Sequence, residues 1–172
     1  MLQFLKAFLD IVLWRRGPQD LPASPLLFWL TAGAYVAVSV VQLSLVDEPP
    51  AAWVVFVLLD PVLLTGGVYL LLRLFGKDAR FLQTATAVLG TGVVLGLALF
   101  LPTEWLVTQL GLPPESTGAG LLALALVIVF ALVTGRILKL ATDSNMFTGV
   151  TLALMYFLLI HLLLSLATGG GA

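Results

Sequence analysis

The sequence predicts an all-α fold, a polytopic membrane helical bundle of five transmembrane helices preceded by an N-terminal interfacial amphipathic helix, and three observations predict it. Apolar residues make up 60% of the 172 and charged residues 10%, against roughly 45–50% and about 25% in ordinary soluble domains. Five apolar stretches, at about 26–46, 51–74, 81–101, 118–138 and 146–167, each reach the ~20 residues that a helix needs to cross the hydrocarbon core. Finally, all eight Lys and Arg fall in three segments that alternate with three segments carrying none. Lys6, Arg15 and Arg16 precede the first span, Arg73, Lys77 and Arg80 lie between the second and third, and Arg136 and Lys139 lie between the fourth and fifth. Cytoplasmic loops hold the Lys/Arg excess, so the N-terminus is expected inside and the C-terminus outside. Five spans leave too few residues for a soluble domain. The expected organisation is an interfacial helix at 1–16, one bundle at 24–168 and a flexible tail at 169–172.

Within residues 1–14 the polar side chains Gln3, Lys6 and Asp10 recur three and four apart, so they share one helix face. The segment is too short to span. Lying on the membrane, it keeps Lys6 and Asp10 in water and sets Phe4, Phe8 and Trp14 among the head groups. A cleaved signal peptide fits less well, because Asp10 interrupts the apolar run and Arg15-Arg16 follow it. Gly17-Pro18 closes this helix, and Ser24-Pro25 opens the first span with a cap and a proline at the first helical position. Asp47-Glu48-Pro49-Pro50 makes so short a link that spans one and two are expected to be antiparallel neighbours. After the third span, Pro102-Thr103-Glu104 and Gly111 read as the start and stop of a separate outer-surface helix. Trp14 and Trp29 then mark one membrane interface, Trp53 and Trp105 the other. The stretches 78–86 and 143–151 match in polar and apolar character, so spans two–three and four–five are candidate parallel repeats.

Asp60 is the outlier of the chain, because a carboxylate near the bilayer centre costs about 2.5–3.5 kcal/mol on insertion scales and should face the bundle interior. Pro61 cannot donate to the carbonyl of Val57, and Gly66 and Gly67 follow one turn later, so a kinked or opened helix is expected there. His161 lies at a similar depth in span five and is the expected partner of Asp60. Ser39 and Ser165 complete a candidate intramembrane polar site. The alternative is that Asp60 and His161 are separately satisfied helix-packing residues. An Asp/His/Ser set can also serve an intramembrane hydrolase, but no Gly-x-Ser-x-Gly surrounds Ser165. Gly90, Gly92 and Gly96 are one residue too long for a dinucleotide fingerprint and lie inside an apolar span. They read as helix-packing positions, as do Gly33 and Ala37.

With no Cys and one His, disulfides, thiolate metal sites and His clusters are excluded, so no metal and no cofactor is expected. The net charge of −1 gives no attraction to nucleic acid. The excess of Arg over Lys and the Leu/Ala/Val/Gly-rich spans suggest a bacterial inner membrane.

Five spans, an inside N-terminus, a very short outside C-terminus, and a third span that starts Gln83-Thr84-Ala85-Thr86, carries Gly90 and Gly92 and ends at Pro102 resemble the Yip-domain family of five-span membrane proteins. The resemblance covers most of residues 24–168. The segment from Arg15 to Pro22 also looks like one in small uncharacterised proteobacterial inner-membrane proteins. The family implies no catalytic residue; it implies a helper role in membrane organisation or trafficking. The expected function is a non-enzymatic adaptor or accessory subunit binding other membrane proteins or membrane lipids. A small transporter centred on Asp60 and His161 is the alternative, and would call for a homo-oligomer.

Overall fold

The computed structural model describes residues 2–44, 53–111, 113 and 116–167. Every regular element among them is helical. Five helices are long and apolar enough to cross a membrane, over Pro25–Ser44, Val57–Leu74, Asp78–Val107, Thr117–Thr142 and Met146–Leu163. The protein is thus an all-α bundle with the five-helix composition of a multi-pass membrane protein. The Asp47–Pro50 link and the tail at 169–172 lie outside the described residues.

The helices are α1 (Leu2–Val12), α2 (Pro25–Ser44), α3 (Asp60–Leu74), α4 (Phe81–Leu95), α5 (Leu101–Gln109), α6 (Thr117–Thr142) and α7 (Met146–Ala167). The Ser24 hydroxyl accepts from the Leu27 N–H at the start of α2, and Ser116 accepts from the Ala119 N–H at the start of α6, satisfying donors that a helix start leaves free. α4 is the central helix: Thr84 to Thr91 are all buried, and α1, α2, α3 and α6 pack around it. Its glycines admit those neighbours. A Cβ on Gly90 would overlap the Phe8 ring of α1, one on Gly92 would come within 2.7 Å of the Tyr35 ring, and one on Gly96 within 2.9 Å of Val38. Gly33 and Ala37, expected as packing positions too, are exposed. A further close approach lies at glycines that belong to no spaced pattern in the sequence. Between α6 and α7, a Cβ on Gly135 would come within 2.8 Å of the Val150 backbone, and Gly149 sits against the Gly135 carbonyl.

Two further expectations need correction. The third span does not end at Pro102 before a separate surface helix. α4 runs on through a π-helical turn, Gly96–Phe100, into α5. A second π-helical turn, Val54–Leu59, leads into α3 and Pro61. A proline lacks the N–H that would bond the carbonyl four residues back, and its ring crowds that carbonyl. Those carbonyls belong to Val57 and Ala98, both inside the wider turns, which accommodate the proline without breaking the helix.

The other correction concerns α1. Phe8 was expected among head groups and Asp10 in water, yet Phe8 is 7% exposed and Asp10 9%. Phe8 meets Gly90, ten residues into α4 and so ~15 Å from its start. The helix is seated in the bundle. Trp14, in the left-handed region at φ 64°, ends it, ahead of the Gly17-Pro18 stop. Arg136 of α6 donates to the carbonyls of Trp14 (2.7 Å), Arg16 (3.1 Å) and Ile11 (3.4 Å), with its guanidinium 5.3 Å from the centre of the Trp14 ring. Arg16 pairs with Asp10 at 3.3 Å.

The segments that resemble each other begin differently. Asp78 opens a 3₁₀ turn, Asp78–Arg80, whereas Asp143 caps α6 in the left-handed region.

Candidate functional site

Asp60 opens α3 directly after a π-helical turn and is 7% exposed. The Tyr35 hydroxyl, from α2, donates to its Oδ2 at 2.6 Å. The Tyr156 hydroxyl, from α7, donates to its Oδ1 and lies 3.2 Å from its backbone carbonyl. One carboxylate thereby links three spans. Tyr35 and Tyr156 each stand ten residues from the start of their helices and Asp60 fourteen from the end of α3, so the site lies ~15–21 Å above the end that carries the cations. That is near the middle of a ~30 Å hydrocarbon core.

The local sequence builds this arrangement. Gly92 removes a side chain where the Tyr35 ring lies against α4, which lets a residue of α2 reach past α4 toward α3. The opened turn lies N-terminal to Pro61, over Val54–Leu59, while Gly66 and Gly67 continue in regular helix with open space where a Cβ would stand. The Thr65 hydroxyl donates to the Pro61 carbonyl at 2.8 Å.

The other residues of the expected polar site are not drawn to Asp60. His161 is exposed, and among the described residues no hydrogen bond or ion pair joins it to Asp60. The reason is azimuth. His161 follows Tyr156 by five residues, which turns it ~140° round α7 from the side chain that does meet Asp60. Ser39 is buried, and its hydroxyl donates to the Tyr35 carbonyl at 3.0 Å. Ser165 donates to the Leu162 carbonyl at 2.8 Å. Tyr35 and Tyr156 were missed, although a signal existed: the chain has only three Tyr, and these two lie well inside spans and away from the interfaces that tyrosine favours.

A second polar cluster closes the cation-bearing end. Lys77 and Arg80 share Asp143, at 2.6 and 2.9 Å. Arg80 also donates to the carbonyls of Ala141 (3.0 Å) and Leu140 (3.3 Å), where the end of α6 leaves acceptors free. The Arg80 hydrogen bond, then that of Lys77, hold the Asp143 carboxyl down to about 2. Gln83 donates to the Leu21 carbonyl at 2.7 Å, fixing the link between α1 and α2. Among the described residues no group of His, Asp and Glu is placed to hold a metal ion. What the site can do chemically is accept two phenolic hydrogen bonds, or hold a proton between them. No family model, characterised protein or solved structure matches the chain.

Proposed function

We propose that this chain is a non-enzymatic adaptor or accessory subunit of a bacterial inner membrane, its N-terminus in the cytoplasm, that binds other membrane proteins or lipids. The reading agrees with the helper role that the Yip-domain resemblance implies. The observation that carries it is the Tyr35–Asp60–Tyr156 clasp. The acid inside the bundle has both oxygens engaged by phenols from two other spans, so it serves to hold α2, α3 and α7 together. A bundle fixed in this way presents settled outer faces. On these faces Gly33 and Gly66 leave open space of the kind through which membrane helices approach one another. Photoreactive residues at Gly33 and Gly66 in native membranes should give discrete protein adducts, retained in Asp60→Asn because an amide still pairs with a phenol. A chain that yields no discrete protein adduct at either position would overturn the accessory-subunit reading.

One observation favours a small ion-coupling protein as the second reading. Asp60 directly follows a π-helical turn, a distortion frequent at functional sites. In proteoliposomes, Asp60→Asn would then abolish pH-dependent uptake while leaving the fold intact. Under the adaptor reading the same vesicles show no Asp60-dependent flux.

A further inference from the structure

Between α3 and the α6–α7 pair runs a groove of about 240 Å³, lined by Gly67, Leu71, Leu74, Thr134, Leu138 and Tyr156 among others. Gly67, Leu70 and Leu74 are exposed, so it opens on the outer face of the bundle, where the surrounding solvent is lipid hydrocarbon. On α3 it extends from Leu64 to Leu74, ~15 Å along the axis, which is one leaflet of a ~30 Å core. Its deep end is the Tyr156 ring of the clasp. Beyond Leu74 and Leu138 its two walls are bridged by the Lys77–Asp143 pair. The segments that continue the two walls past those leucines, residues 73–80 and 139–143, carry four cations, Arg73, Lys77, Arg80 and Lys139, against two acids, Asp78 and Asp143.

From this we infer that the groove is a binding site for a phospholipid with an anionic head group, one acyl chain lying between α3 and α6–α7 and the phosphate at the Arg73–Lys77 mouth. The inference names the lipid partner within the function proposed above and rests on that reading. Length chooses the occupant. A crossing partner helix runs the full thickness of the core, whereas this groove stops halfway along α3. Charge chooses the head group, since basic pockets between spans attract anionic lipid phosphates.

The test uses the full chain purified in mild detergent and titrated with phosphatidylglycerol or phosphatidylcholine of identical acyl chains, bound lipid being counted by native mass spectrometry. The wild type should retain phosphatidylglycerol in preference. Gly67→Leu, whose side chain enters the groove from a position where an added Cβ meets nothing within 4 Å, should lower retention of both lipids by about tenfold. Arg73→Gln combined with Lys77→Gln should remove the preference and keep phosphatidylcholine binding. Equal retention of the two lipids by the wild type, or undiminished retention by Gly67→Leu, overturns the inference. Should Gly67→Leu not fold, a photoreactive residue at Leu70, 58% exposed beside the groove, decides in the native background: a lipid adduct supports the site, and a protein adduct or none overturns it. Lipid retention is read on the isolated chain and protein adducts in native membranes, so either proposal can fail alone.

Discussion

Asp60 persists inside an apolar span because two phenols satisfy it. The insertion penalty of a mid-membrane carboxylate is about 2.5–3.5 kcal/mol, and interhelical hydrogen bonds in membranes contribute about 0.6 kcal/mol each, reaching ~1.7. Two such bonds therefore offset roughly a third to a half of the penalty at the average value and nearly all of it at the upper one. Asp60 was legible in the sequence because a charge in an apolar run is conspicuous; its partners were not, because depth can be counted along a chain whereas azimuth depends on how helices are rotated against one another. Ser39 illustrates the same point, since a hydroxyl at the right depth donates to its own helix. At the surface, Asp143 makes a testable contribution to acid stability. Its folded value lies near 2 against an ordinary 3.8. The stabilisation is thus fully present above the ordinary value and is lost as pH falls through the window from about 4 to about 2. Thermal unfolding in detergent followed from pH 6 to pH 2 should show this loss, and Asp143→Asn should remove that part of the pH dependence.

Helices here meet through absent side chains. Gly90 receives Phe8, Gly92 receives Tyr35, Gly96 receives Val38, and Gly135 meets Gly149 with little more than backbone between α6 and α7. Van der Waals packing is the main attraction left between helices in lipid, so these approaches hold the bundle. The α4 glycines were legible from their spacing. Gly135 and Gly149 were not, because isolated glycines on different helices form no pattern until the helices are paired. Pro102 was misread for a related reason: a local stop signal gives way when a wider turn precedes it. The Phe8–Gly90 contact predicts a coupled pair. Gly90→Ala should loosen α1, seen as faster amide exchange over Ile11 to Trp14, and Phe8→Ala should relieve it. The double mutant should be more stable than the sum of the single effects by about 0.5–3 kcal/mol. Additive effects would show that Phe8 does not seat there.

At the scale of the molecule, cations from different segments gather at one end of the bundle. Arg136 holds the end of α1 and Arg80 holds the end of α6, so the cations cap carbonyls at that end. The five-helix architecture was legible because apolar length and cation segregation survive without knowledge of packing. Which helix sits in the centre was not, since α4 is hardly more apolar than its neighbours and is distinguished by its glycines and threonines. Single cysteines at Gln19 and Asn145 should stay unlabelled by an impermeant thiol reagent in intact cells, while cysteines at Trp105 and Pro113 react. Labelling of the first pair would reverse or break the five-span topology.

The seat of α1 also sets an order of events during synthesis. This helix is made before the spans that hold it, since Gly90 lies in the third span and Arg136 in the fourth. Its binding place therefore does not exist until most of the chain has been translated and inserted. The nascent chain carries an unplaced amphipathic segment through all of that time, and α1, made ahead of those spans, reaches its final position only after them.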